Sequence, residues 1–143
     1  MKNSIFAITL LALVGLVALE SCKKSETSAK DKAADLLTAS AWKVQSVTID
    51  ANDQTSKFSG LSLTFSKSGS FTSVNGAIVW PASGTWNFSD AEATHILRDD
   101  GVEVTVQQLT STTLITSLTW SKSTYQQGRV TSVSGKHVFT FSH

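Results

Sequence analysis

Thr94-His95-Ile96-Leu97-Arg98-Asp99-Asp100-Gly101-Val102-Glu103-Val104-Thr105-Val106-Gln107-Gln108 holds two extended runs on either side of an Asp-Gly pair. Successive side chains of a strand point to opposite faces, so Val102, Val104 and Val106 share one side while Glu103, Thr105 and Gln107 take the other. An Asp-Gly step between two such runs is a strong hairpin signal, because glycine reaches the positive φ that a tight turn demands. Residues 94–98 and 102–108 are therefore predicted to pair as an antiparallel hairpin, with no helix between them.

The same texture extends in both directions. Upstream, Gly84-Thr85-Trp86-Asn87-Phe88 puts Trp86 and Phe88 on one face. Before it, residues 77–80 form an apolar run that stops at Pro81, the only proline, which cannot donate to a ladder and marks an edge or a break. Leu61, Leu63 and Phe65 alternate with Ser62 and Thr64, and Lys67-Ser68-Gly69 turns the chain into residues 70–74, a second hairpin. Residues 42–50 form the first strand, where Trp42 and Val44 followed by Val47 and Ile49 imply one shift of face at a bulge near Ser46. Downstream, residues 110–113 turn the chain into Leu114, Thr116, Leu118 and Trp120, and residues 136–142 form the last strand. Residues 52–59 and 122–134 read as long polar loops, the second one flexible. Eight strands joined mostly by hairpins predict an all-β domain. An antiparallel up-and-down barrel is the economical topology, since closure removes exposed edges.

Ahead of the strands, Ala33, Ala34, Leu36 and Leu37 place a small apolar stripe on one or two helical turns. Residues 23–32 hold four lysines, diluted by Glu26 and Asp31, with no apolar side chain larger than alanine, the composition of a flexible solvated tether. The chain begins with a basic residue, Lys2, then runs almost unbroken in apolar residues from Ile5 to Leu19 and closes on Glu20, Lys23 and Lys24. That run is shorter than a bilayer-spanning helix and reads as a cleaved leader. Leu19-Glu20-Ser21-Cys22 resembles a bacterial lipobox, with Glu20 where the family usually has a small residue, and the resemblance implies that Cys22 is acylated after cleavage in front of it. The expected organisation is a signal peptide over 1–21, a lipidated tether over 22–34 and one barrel domain over 35–143.

Charge and cysteine content narrow the function classes. The leader removes one charge of each sign, Lys2 and Glu20, so the formal net charge of +1 is unchanged in the mature chain. Near-neutral balance argues against nucleic acid, which needs a concentrated basic surface. Cys22 is the only cysteine, so a disulfide framework is excluded and a thiol kept at the cleavage point is better explained by lipidation.

Leu36-Leu37 followed by Trp42-Lys43-Val44, then Leu63-Thr64-Phe65, Ser68-Gly69-Ser70-Phe71-Thr72, Gly84-Thr85-Trp86 and the step from Val104 to Leu114 resemble the lipocalin-like domains of bacterial, Bacteroidota-type envelope lipoproteins. The resemblance implies an eight-stranded barrel, a lipid-anchored place in the cell envelope at the outer membrane, on its periplasmic or its surface face, and non-catalytic binding of a small hydrophobic ligand. Trp42, Phe65, Phe71, Trp86, Phe88, Leu118 and Trp120 are the interior candidates for that ligand. An eight-stranded barrel is also narrow enough for side chains to fill it, and aromatic residues dominate small cores. The alternative is then a filled barrel that acts as an envelope protein-interaction or inhibitor module.

Catalysis and metal binding find little support in the residues. His137 and His143 share a strand face but stand about 20 Å apart in extended chain, too far to share a metal. His95 lies near Asp90, Glu92, Asp99 and Asp100, of which the last two are explained by their turn. No serine sits in a nucleophile-elbow context and no glycine-rich phosphate loop leads into a helix, so neither an enzyme nor a cofactor is expected.

Overall fold

The computed structural model describes residues 27–121, 125–126, 129–130 and 134–143. The leader, Cys22 and most of the tether lie outside these residues. Helix α1, Ala29–Leu37, begins where Ser28 caps it by accepting a hydrogen bond from the Asp31 backbone N–H at 3.1 Å. The helix thus takes in residues 29–32, which composition assigns to the tether, together with the expected stripe at Ala33, Ala34, Leu36 and Leu37. A capping serine and two alanines that pack on the core outweigh the polar character of the first turn.

Strand β1, Trp42–Ile49, carries the bulge expected near Ser46, as a register shift between Val44 and Ser46 that turns both Gln45 and Ser46 to solvent. The chain then doubles back in β2, Asn52–Asp53, and a 3-10 turn, Thr55–Phe58. Asp53 accepts from the Thr55 backbone N–H and hydroxyl at 2.9 and 2.6 Å, and Thr55 in turn receives the Val47 N–H at 3.0 Å. This predicted polar loop is therefore pinned to β1 and delivers Phe58 into the core. There follow β3, Ser62–Phe65, β4, Ser70–Val74, β5, Ser83–Phe88, β6, His95–Arg98, β7, Glu103–Leu109, and β8, Thr113–Trp120. Two short strands, β9, Tyr125–Gln126, and β10, Arg129–Val130, pair with each other in the predicted flexible segment, and β11, Gly135–Ser142, ends the fold.

Neighbouring strands pair antiparallel in chain order, and β11 pairs with both β8 and β1. The eight strands β1, β3 to β8 and β11 form a closed up-and-down antiparallel barrel, consistent with a lipocalin-like fold. Residues 50–61, 75–82 and 99–102 connect strands at one end, here called the loop end. The turns at 66–69, 89–94 and 110–112 lie at the other, the helix end. There α1 crosses the mouth: Lys30 donates to the Phe88 carbonyl at 3.2 Å, Asp35 pairs with Lys67 at 2.5 Å, and Trp42 Nε1 donates to the Leu37 carbonyl at 2.9 Å.

Strand parity explains most of the interior, with one adjustment in β7. Val104 is buried, but Val102, just before the strand, and Val106, at a second bulge between Val106 and Gln108, pack against the core only from its margin. The expected Asp-Gly turn is present, with Gly101 at φ +80° and open space where a Cβ would stand. Gly101→Val should therefore cost about 1–2 kcal/mol from backbone conformation alone, read as a lower urea midpoint, with Gly101→Asn costing less because asparagine tolerates this region.

Candidate functional site

All seven interior candidates point inward and are buried, none more than 8% exposed. Four of them belong to one run of ring contacts. Phe88 meets Trp86 at 5.3 Å between centroids, Trp86 meets Phe65 at 5.6 Å, Phe65 meets Phe71 at 6.1 Å, and Phe71 continues to Trp80 at 6.0 Å. Trp80 then reaches Phe139 at 6.0 Å, and Phe139 stacks between His137 and Phe141. Most of these pairs are edge-to-face, the geometry that the ring quadrupole favours. Trp42 stands apart at the helix end, where the His143 ring lies against it at 4.0 Å. Leu118 and Trp120 come from β8 and pair across the ladder with His137 and Gly135 of β11, toward the loop end.

Each mouth of the barrel is stopped by side chains. At the helix end the plug is Leu37 of α1 with Trp42 beneath it. At the loop end Phe58 sits edge-on to His137 and Phe139, at 6.1 and 5.2 Å. Trp80 enters from the 75–82 loop, where Asn75 and Ala77 both adopt positive φ and Ser73 Oγ donates to the Trp80 and Pro81 carbonyls. Residues 77–80 thus form a tight turn rather than a strand, and their apolar character reflects insertion into the barrel mouth.

Arg98 is the interior residue whose charge, not its place in the alternation, argues for the outside. It follows Ile96 on the inward face of β6 and is 2% exposed, a guanidinium inside an aromatic core. Burying a cation is costly unless its donors are satisfied. Here Nε donates to Asp100 Oδ1 at 3.1 Å, Nη2 contacts Asp100 Oδ2, and Nη1 donates to the Val79 carbonyl at 2.7 Å. Its carbon centre lies 4.9 Å from the Trp80 ring and 5.8 Å from that of Phe71. One side chain thereby ties the Asp-Gly hairpin, the plug loop and the aromatic run together.

The three histidines are dispersed. His137 lies buried toward the loop end and His143 at the helix end, on opposite ends of β11. His95 is half-exposed, 3.8 Å from Asp90, whereas Asp99 and Asp100 stand at the other end of β6. Asp90 is held down at about 2, first by the Thr94 hydroxyl, with the Thr94 and His95 backbone N–H groups also donating to it. This is the chemistry of a turn. Burial pushes the His137 imidazole below its ordinary value, against smaller upward pulls from the Gly135 carbonyl and Asp50. The neutral ring donates from Nδ1 to the Gly135 carbonyl at 3.1 Å. His137 Nε2, Trp80 Nε1 and Thr116 Oγ1 are buried in the interior without a hydrogen-bond partner.

Among the described residues, clefts lie outside the packed interior. One of about 740 Å³ follows the outer face of β7 and β8, along Glu103, Thr105, Gln107, Ser117 and Thr119. A smaller one of about 310 Å³ lies by β2, between Asp50, Asn52 and Lys57. Phe58 and Trp80 enter the interior from outside the regular strands, where alternation gives no guide, and Arg98 lies inward by parity against the expectation from its charge. The sequence signals for the first two are a lone aromatic in a polar stretch, Phe58, and an apolar run stopped by Pro81, residues 77–80. Neither a protein-family model nor a curated protein matches the chain.

Asp100→Ala should destabilise the protein by about 3 kcal/mol, because it leaves a buried cation half-paired. Arg98→Met added to that variant should recover part of the loss, as measured by chemical denaturation. A second expectation concerns acidity. The neutral form of His137 is favoured by the fold, so the unfolded chain binds the extra proton first. Stability should fall as pH drops below about 6.5, the ordinary histidine value, until the lowered folded value is passed. His137→Leu should flatten the dependence of melting temperature on pH between about 7.5 and 5.5.

Proposed function

We propose that this chain is a lipid-anchored, non-catalytic envelope lipoprotein of the lipocalin-like kind, whose filled barrel serves as a rigid scaffold and acts through its outer surface and loops on an envelope protein partner. The observation that carries this reading is the occupation of the interior. Of the seven residues that would line a ligand cup, Phe65, Phe71, Trp86 and Phe88 are committed to one another, to Trp80 and to Arg98, Trp42 is committed to His143 and the Leu37 carbonyl, Leu118 and Trp120 are buried with them, and side chains stop both mouths. Eight strands enclose little more than their own side chains, so a core this rich in large rings uses the space a ligand would need. Admission of a small hydrophobic molecule would require the Trp80 loop to leave, breaking the Arg98 contacts that hold it.

Anchorage is the second part of the proposal. The apolar leader and Cys22 support it, and two or three acyl chains on one cysteine hold a protein stably where a single chain would not. The barrel then needs no lipid-facing apolar surface of its own. Its outward strand positions are mainly Ser, Thr, Lys, Gln and Glu.

Two measurements test the proposal. Cys22→Ala should move the protein from the membrane fraction to soluble or uncleaved precursor, and cleaved protein that still sediments with membranes would refute the anchor. A panel of fatty acids and other apolar ligands should leave the tryptophan fluorescence of delipidated protein unchanged. A saturable shift, with a matching mass in native mass spectrometry, would replace the scaffold by a ligand cup.

A further inference from the structure

We propose that the end of the barrel crossed by α1 is the surface that faces the lipid bilayer, and that the loop end, with the Arg98-held plug, is the face presented away from it. The inference rests on the acylation of Cys22 proposed above. It follows from where the tether meets the fold. Ser28 caps α1 six residues after Cys22, so the lipidated cysteine lies within about 20 Å of the cap even in a fully extended chain. The cap itself is fixed at the helix end. Two residues on, Lys30 reaches the carbonyl of Phe88, the last residue of β5, and the helix C-terminus is fastened through Leu37 to Trp42.

The barrel wall sets the opposing length. An eight-residue strand such as β11 is about 26 Å long at about 3.3 Å per residue. With the tilt of a small barrel, the wall stands about 20 Å high, before the loops beyond it are added. Bringing the loop end to the membrane would require the tether to lie stretched along the whole wall, losing nearly all of its conformational freedom. With the helix end inward, the length of the chain from Cys22 to Ser28 imposes no such stretching. Orientation is thus a property of tether length and of helix docking, and needs no basic patch on the barrel.

The test uses full-length acylated protein in phosphatidylcholine vesicles that carry a head-group acceptor dye. Cys22 is the only native cysteine and acylation consumes its thiol, so one added cysteine can be labelled with a donor. Ser68→Cys, in the exposed β3–β4 turn, reports the helix end, and Ser56→Cys, in the exposed 3-10 turn, reports the loop end. Ser111→Cys, in the exposed β7–β8 turn, is a second helix-end site should the Ser66-Ser68-Ser70 hydroxyl contacts matter for folding. Energy transfer to the bilayer should be several-fold stronger from Ser68→Cys or Ser111→Cys than from Ser56→Cys. Equal transfer, or stronger transfer from Ser56→Cys, in protein that floats with the vesicles would overturn the orientation and leave the anchor standing. Failure to float overturns the anchor and the orientation with it. Inserting about 20 Gly/Ser residues after Lys24 should erase the difference, and a difference that survives the insertion would show that tether length does not set it.

Discussion

The pairing of β11 with β1 is the constraint on which the rest of the molecule depends. Val44 to Ile49 run against His137 to Phe141, and this ladder joins the last strand to the first. On the other side of β1 the ladder to β3 has only two residue pairs, Trp42 with Leu63 and Lys43 with Ser62, so the β1–β11 seam carries most of the closure. Both faces of that seam must agree for it to form. The bulge at Val44/Ser46 keeps Trp42, Val47 and Ile49 pointing inward on one strand while His137, Phe139 and Phe141 point inward on the other. Burying an aromatic or aliphatic side chain contributes about 1.5–3 kcal/mol, so a slip of one residue, which would turn His137, Phe139 and Phe141 outward, is strongly disfavoured.

Closing a barrel creates an interior that must be filled, and here a cation takes part in filling it. Arg98 could be replaced by an apolar side chain of similar length with little or no loss of stability, by the general behaviour of buried ion pairs. What such a replacement lacks is direction. The guanidinium fixes the spacing between the Asp100 turn and the Val79 carbonyl, and it presents a flat cation to Trp80 and Phe71. An apolar plug loop would slide over an apolar mouth, whereas this one has a single seat. The three unpartnered polar atoms of His137, Trp80 and Thr116 show that the interior tolerates polar cost elsewhere, so its packing is not that of a purely apolar core.

The strands, their order and the closed topology were legible in the chain because those features are local. Alternation in residues 61–65 and 102–108, the turns at Gly69 and Gly101, and the change of face in β1 each depend on a few neighbouring residues. All seven proposed interior residues lie inside for the same reason. The features that alternation does not reveal depend on where distant segments end up. Phe58 is a lone aromatic in a polar stretch, and nothing nearby indicates that Thr55 will fold that stretch back onto β1. The 77–80 run looks like a strand fragment until Arg98, a residue 18 positions beyond Trp80, is known to hold it in the mouth. Arg98 itself obeys the parity of its strand, but its charge argues for the outside, and only the carboxylate two residues later resolves the conflict. The second bulge, at Val106/Gln108, is invisible in a run of regularly spaced valines, because it arises from register with β8.

A filled interior changes what the barrel can contribute to function. A hollow barrel works by exchanging its contents, and its loops must open. A packed barrel has no such requirement, and its stability is free to hold loops in place instead. The plug loop illustrates the difference: its positive-φ residues Asn75 and Ala77 and its double hydrogen bond from Ser73 give it a fixed shape over the mouth rather than the slack of a gate. The helix end is fixed in the same manner, since α1 is capped by Ser28 and seated by Leu37. Among the described residues, both ends of the molecule therefore present surfaces of defined shape. Under the proposed acylation of Cys22, the loop end is the part that a partner would meet, which would link the packing of Trp80 against Arg98 to the face that the protein displays.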